Sequence, residues 1–444
     1  MRRPRFILID QSLRDNQGHH YSYAWAVAEA ARARGHDALI VGNKSLDPAI
    51  QKDSEARSLP IRPWFSETWT ESAPGRSGSS SLLESARERI TRTLRAYPGL
   101  YLPVRRAYGA LRGLRGGGRD ATTLEYGRFR SELLALLREL ELTAQDHVFI
   151  PTLSNPEARD CFRVVDDMGS AAAARIHLLF RRDPGENAVV HSPVGSLADL
   201  LRPIQDSALH REVLRFYTDT RDLSAEYSRM SKVVFETLPL PVRPVPPDEG
   251  ARGGSERVRL TYFGDARGEK GFHLLPALVD SVLGSPMAGR VKFVIQANPA
   301  RGARDEAGIS EARNALRRWQ GPDLDLLEEP LSDQEYGRRL VETDAVIIPY
   351  QPLAYRYRSS GILAEALVAG KPVIVPEDTW MAREADPGSS VRFGSPGELF
   401  QAVSRLVSHF EEFSNTARGR MGYWRARHEA PALVHALVAG ERWG

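Results

Sequence analysis

Cysteine occurs once in the 444 residues, at Cys161. That excludes an internal disulfide and any cysteine-rich metal site, and a single thiol of this kind reads as a small buried hydrophobe. Lysine is nearly as sparse: only six of the 60 basic residues are Lys. Long apolar runs are missing as well. No stretch approaches the ~20 residues of a membrane-spanning helix. Segment 6–9, behind a basic N-terminus, is too short for the core of a secretory leader and is cut off by Asp10. These absences predict a cytoplasmic chain. Helix-turn-helix, zinc and ribonucleoprotein signatures are absent too, so no nucleic-acid partner is expected.

What charge there is lies unevenly. The net value is only +3, yet residues 76–119 hold ten arginines against Glu84 and Glu88. Apolar residues such as Leu82, Leu83, Ile90, Leu94, Tyr97 and Leu100 alternate with them, a mixture suited to an anionic membrane surface. A solvated helical insertion fits the same residues equally well. Attachment to the inner face of the cell membrane is therefore one expectation for this stretch.

The hydrophobic pattern predicts an α/β protein. Segment 5–10 (RFILID) reads as a buried strand, 21–34 as a helix stopped by Gly35, and 38–41 as the next strand. A Ser/Gly-rich loop at 72–81 and the basic region interrupt this order. Residues 129–142 then form an amphipathic helix, and 147–151 and 176–180 are again strands. Five prolines in 238–247 (LPLPVRPVPP) mark a linker. Beyond it strands are predicted at 257–262, 291–296, 345–349 and 372–376, and helices at 272–282, 309–319, 333–342 and 361–368. Segment 396–427 reads as helical. The predicted division is a first Rossmann-like domain over 1–240, with a basic insertion at about 72–120. A linker at 241–256, a second Rossmann-like domain over 257–405 and terminal helices over 406–444 follow.

The chemistry concentrates in the second half. In 355–376 (YRYRSSGILAEALVAGKPVIVP) Ser360 is placed to cap a helix whose first amides have no internal partner. Those amides and the helix dipole favour an anion such as a diphosphate. Glu365 lies about one turn in, where it can accept hydrogen bonds from a ribose. Upstream, 260–275 (LTYFGDARGEKGFHLL) offers Arg267, a planar fork for phosphate oxygens, and Lys270, a point charge.

These segments resemble the signature of the large retaining glycosyltransferase group that includes glycogen and sucrose synthases, the family 4 type. Ser359, Ser360 and Gly361 fit its Gly-rich turn, Glu365 its second Glu, and Gly370, Lys371 and Pro372 its helix stop. Gly264, Arg267 and Lys270 fit its Gly, Arg, Lys-Gly element, and 328–349 its loop, helix and Asp-Ala-Val strand. The matches cover most of 257–385. The resemblance implies a GT-B fold, two Rossmann-like domains facing a central cleft, with the terminal helices crossing back onto the first domain. It implies close approach of the donor at Gly264 and a diphosphate held by Arg267 and Lys270. The base would lie against the backbone near Pro330 and Leu331, with 296–299 as the other wall. The sequence departs from the pattern at Tyr357, where the family usually has the acid that meets the donor sugar. Tyr357 stands there instead and is a candidate catalytic residue.

In the first half the loop 15–20 (DNQGHH) lies at the ligand-facing edge of the expected sheet. Gly18 permits backbone approach there, and His19 and His20 are candidates to donate to a phosphate or acceptor oxygen. They fit a plain helix-capping role equally well. Arg181, at the end of a strand, is a further candidate, as are Arg182 and Asp183, and a surface arginine pair explains them as readily. The reaction implied by the resemblance is transfer of a sugar from a nucleotide-diphosphate donor to a saccharide or lipid-linked acceptor, with retention. It needs no cofactor and no dedicated metal, because Arg, Lys and a helix N-terminus stabilise the departing diphosphate. A nucleotide-sugar epimerase of the same fold and a non-catalytic sugar-nucleotide or polysaccharide-binding protein remain open. A pyridoxal-phosphate phosphorylase is disfavoured, since neither Lys292 nor Lys371 sits in a recognisable cofactor motif.

Overall fold

The computed structural model describes residues 2–15, 19–67, 127–184, 197–242, 257–299 and 307–440. The basic stretch, most of the linker and Gly18 lie outside these. The chain divides into two compact units, Met1–Leu238 with Leu437–Gly444, and Pro239–Ala436. Among the described residues no helix is long and apolar enough to cross a membrane.

The first unit is built on a parallel sheet of β1 (Arg5–Ile9), β2 (Asp37–Asn43), β3 (Ile61–Phe65), β4 (His147–Ile150), β5 (Arg175–Phe180), β6 (Leu214–Thr218) and β7 (Phe235–Thr237). Their order in space is β3-β2-β1-β4-β5-β6-β7. Phe6 to Ile9 are completely buried, as a central strand covered on both faces must be. Pro63 stands in the edge strand β3, where a missing backbone donor costs least. The described helices here are α1 (His19–Ala33), α2 (Pro48–Arg57), α3 (Gly127–Leu140), α4 (Asn155–Met168), α5 (Leu197–Asp206), α6 (Ala208–Val213) and α7 (Arg221–Ser231). Their starts follow side-chain chemistry. Asp47 accepts from the Ala49 amide with Pro48 behind it, and Thr220 accepts from the Leu223 amide.

The second unit repeats the plan with β8 (Val258–Tyr262), β9 (Val291–Gln296), β10 (Leu324–Leu327), β11 (Ala345–Ile347), β12 (Val373–Pro376) and β13 (Ser390–Phe393), ordered β10-β9-β8-β11-β12-β13 and all parallel. Its helices are α8 (Leu275–Leu283), α9 (Ala307–Arg317), α10 (Asp333–Glu342), α11 (Gly361–Val368), α12 (Trp380–Glu384), α13 (Leu399–Ser408) and α14 (Phe410–His428), with α15 (Ala430–Ala439) after them. One hydrophobic core joins strands and helices, from Leu260 and Phe293 to Leu406 and Trp424. Both sheets therefore have the doubly wound order in which the chain leaves the first strand one way and returns on its other side. That reversal opens a crevice beyond the carboxyl ends of the first and fourth strands. The expected α/β fold of two Rossmann-like domains is what the molecule shows.

Candidate functional site

In the second unit the reversal falls between β8 and β11, and the loops leaving these strands carry both sequence motifs. After β8 the chain passes Gly264, Asp265 and Arg267, makes a short 3-10 turn over Gly268–Lys270, and bends at Gly271 into α8. Gly271 has φ +70°, and a Cβ there would lie 1.8 Å from the Pro349 carbonyl oxygen. Only glycine lets these two loops meet. The Gln351 amide donates to the Glu269 carbonyl at 2.9 Å, and the Gln351 side chain to the Gly268 carbonyl at 3.0 Å. Arg358, just before α11, reaches Glu269 at 3.6 Å and stacks over the Tyr355 ring at 4.8 Å. The two motifs, about 90 residues apart in sequence, are thus tied together by backbone and charge.

Charge within the first loop is balanced at close range. Asp265 Oδ2 lies 2.8 Å from Arg267 Nε, Arg267 Nη2 donates to Asp265 Oδ1 at 3.0 Å, and Lys270 Nζ donates to the same Oδ1. Arg267 also reaches Glu269 at 3.3 Å. Burial pushes the Asp265 carboxyl up, but the charges of Lys270 and Arg267 outweigh it and hold it below the usual carboxylate range. Burial pushes Lys270 down, and Asp265 only partly offsets that. The Gly264 amide donates to Gln296 Oε1 at 2.7 Å, and Gln296 Nε2 donates to Asn298 Oδ1 at 2.8 Å. Gln296, buried at the end of β9, therefore fixes the loop at the glycine.

On the other side, Ser360 caps α11 by accepting from the Leu363 amide at 3.2 Å. Gly361 at the helix start is exposed. Glu365, half-buried in α11, accepts a hydrogen bond from the Tyr336 hydroxyl of α10. The Tyr336 ring packs on Phe263 with centroids 4.9 Å apart, so the chain just after β8 holds the tyrosine that holds the carboxylate. Leu331, between β10 and α10, is partly buried against the core. Ser359 and Tyr357 are half-buried in the same approach to α11, and Arg356 lies 5.3 Å over the Tyr357 ring. Lys371 instead donates to the Val341 carbonyl at 2.9 Å, which ties the end of α11 to α10. Asp323 and Asp325 form an acidic triplet with Leu324 but are engaged with Arg257 at 2.6 Å and Arg339 at 2.7 Å.

The structure thus brings Gly264, Arg267 and Lys270 to one sheet edge together with Ser359, Ser360, Gly361 and Glu365. Four participants were not singled out from the sequence: Asp265, Glu269, Tyr336 and Arg358. The signal for three of them was the alternation of charge in 265–270 and the paired arginines of 356–358. Tyr336 had none, because its partner lies 29 residues on.

The first-unit candidates sit at the corresponding edge of their own sheet. Gly18 lies outside the described residues, and His19 opens α1. His20 pairs through Nδ1 with Asp10 Oδ2 at 2.7 Å. Burial pushes His20 down, but the Asp10 charge and hydrogen bond prevail and its pKa is raised. Arg181 Nε donates to the Pro151 carbonyl at 2.8 Å, and its guanidinium covers the Tyr23 ring at 4.8 Å. Buried Glu157, the third residue of α4, accepts from Gln11 and from the Ser154 amide.

No family model and no curated protein sequence matches the chain. Solved structures do match its fold over nearly its whole length. A glycosyltransferase from Rickettsia africae aligns with TM-score 0.60 at 8% identity, covering 97% of this chain and 96% of its own. HepE from Anabaena, in complex with UDP and glucose, aligns with TM-score 0.56 at 11% identity, covering 98% and 99%. Sucrose-phosphate synthase from Thermosynechococcus elongatus aligns with TM-score 0.59 at 12% identity, covering 97% and 96%. At such identities the likeness is one of fold, and that fold is the GT-B fold expected from the motifs.

Proposed function

We propose that the protein is a glycosyltransferase that takes a sugar from a nucleotide-diphosphate donor bound by its second unit. The observation that carries this reading is the convergence, at the switch point of the second sheet, of a cation-bearing loop, a capped helix start and the Tyr336-held Glu365. Each feature suits one part of such a donor. Arg267 and Lys270 suit the diphosphate. The start of α11 adds amide donors and its dipole. Glu365, fixed through one carboxylate oxygen, suits ribose hydroxyls, and the segment around Leu331 suits the base. HepE was solved with UDP and glucose, which favours a sugar nucleotide as the first ligand to try.

In this reading the bond between the sugar's anomeric carbon and the diphosphate breaks while an acceptor hydroxyl oxygen forms the new bond. The acceptor attacks on the face that the diphosphate leaves, which gives retention, and its proton passes to the departing phosphate oxygen. The negative charge that develops on the diphosphate is met by Arg267, Lys270 and the helix start, so no dedicated metal is required. Tyr357 stands near the donor sugar, and the first unit, with His19, His20 and Arg181, takes a saccharide or lipid-linked acceptor. A thermal-shift screen of nucleotide sugars tests the donor, because a ligand that binds only the folded state raises its melting temperature. Transfer and hydrolysis assays with the hit follow. If no nucleotide sugar or nucleoside diphosphate stabilises the protein, the reading fails.

A further inference from the structure

Arg267 and Lys270 already hold an anion of the protein's own. The Asp265 carboxylate lies against both, and Glu269 takes the outer side of Arg267. The Lys270 and Asp265 side chains are only 13% and 19% exposed. Water therefore does not erase the Lys270–Asp265 pairing as it does at an open surface, while Arg267 is 40% exposed. Two acids match two bases in residues 265–270, and Arg358 adds one further positive charge beside Glu269. An anion that is to use the donors Arg267 and Lys270 already give to Asp265 must take its place.

We propose that Asp265 is a specificity-determining residue: a built-in counter-ion that closes the cation pair to simple anions and yields to a ligand that also engages the rest of the site. This rests on reading the site as one for a diphosphate. Separating Asp265 from Arg267 and Lys270 costs the same whichever anion arrives. Sulfate or orthophosphate gains from the exchange little more than one anion replacing another. A nucleoside diphosphate adds contacts at Glu365 and at the base wall, and these offset the exchange. The common cost thus removes simple anions from the site while a nucleotide stays bound. Asp265 serves throughout, because the two cations keep it ionised.

Calorimetric titration tests this with three probes, UDP, inorganic pyrophosphate and sulfate, on the wild type, Asp265→Asn and Asp265→Ser, each checked for fold by circular dichroism. Pyrophosphate affinity should rise roughly tenfold or more in both variants, the range of a lost charged hydrogen bond. Combining Lys270→Ala with either substitution should remove the gain. Sulfate should leave UDP affinity unchanged in the wild type and compete with UDP in the variants. Unchanged or weaker pyrophosphate binding in both variants overturns the proposal, and so does sulfate competition in the wild type. The UDP arm separates the two readings. A pyrophosphate gain without binding of UDP or any other nucleoside diphosphate leaves the role of Asp265 standing and sinks the proposed function. Normal UDP binding without the gain does the reverse.

Discussion

The same strand order produces two different ligand edges in this molecule. After β1 the chain places Asp10, buried, against His20 at the start of α1. After β8, at the corresponding point of the second sheet, it places Asp265 against Arg267 and Lys270. Both edges hold an acid just past the first strand. One acid faces a histidine whose pKa it raises, and the other faces an arginine and a lysine. The same topology therefore places an acid at both edges, and the partner of that carboxylate is what differs between them.

The largest expected effect compares a glycine of the second edge with one that follows α1 at the opposite end of the first sheet. Gly271→Ala sets a methyl group against the Pro349 carbonyl and forces a residue with a side chain to φ +70°. We expect a loss of about 3 kcal/mol or more in denaturant unfolding, with loss of nucleotide binding. Gly35 ends α1 at φ +89°, and a methyl group placed on it would have no neighbour within 4 Å. Gly35→Ala should cost only about 1 kcal/mol, the backbone strain alone. Equal costs would mean that the contact between the β8 and β11 loops is not what holds the second edge.

Next come the charged residues. Arg267→Ala and Lys270→Ala should each weaken nucleoside-diphosphate binding by roughly 1–3 kcal/mol. His20→Gln in the first unit should leave that affinity alone and lower transfer. Calorimetry showing unaltered affinity in both second-unit variants removes the diphosphate assignment. A fall in affinity with His20→Gln would erase the contrast between the edges.

A smaller effect is expected at Glu365. Glu365→Gln keeps the volume and can still accept from Tyr336, but it offers ribose a weaker acceptor. Donor affinity should fall by about 1 kcal/mol with little change in melting temperature. The opposite result, an unstable protein with normal affinity, would make Glu365 a structural partner of Tyr336 only.

The fold was legible in the sequence wherever a segment was long or apolar on both faces. Residues 291–296, 333–342 and 361–368 were read with the bounds that β9, α10 and α11 have. Strands β3, β6, β7, β10 and β13 were missed. They are short, β3 contains Pro63, and β10 alternates an acid with leucines, so periodicity over three to five residues had too little to work on. Helices α2, α5, α6, α7 and α12 were missed too, as was α4, where a Ser-Asn-Pro-Glu start and interspersed charges hide the apolar face. At the site, motif spacing found the loops and the helix cap. It did not find what the loops do to one another. The hold of Asp265 on both cations, the clasp of Arg358 on Glu269 and that of Tyr336 on Glu365 depend on side-chain reach across a turn or between elements, which spacing does not encode.

The smallest effect is the pH response of the two carboxylates, and its sign differs between the edges. The folded pKa of His20 is raised by Asp10. The pair therefore contributes stability that is fully present below the unfolded value near 6.5 and is lost as pH rises through the higher folded value. Arg181 works against this shift and Asp15 with it, and the His20 side chain is 24% exposed, so the contribution should be no more than about 1 kcal/mol. Asp265 behaves in the opposite sense. Its pKa is depressed, so its contribution is present above the usual carboxylate range and is lost only as pH falls below that range. Between roughly pH 6 and 8 the first edge should weaken and the second should not change. Histidine proton resonances give the His20 titration directly, and Asp10→Asn should return its midpoint to near or below the ordinary value, because burial and Arg181 are then opposed only by the smaller effect of Asp15. The stability difference between wild type and His20→Gln should shrink as pH rises across the same interval. The difference between wild type and Asp265→Asn should stay flat. A His20 midpoint that does not move in Asp10→Asn would show that the two edges do not differ in the way their carboxylates are paired.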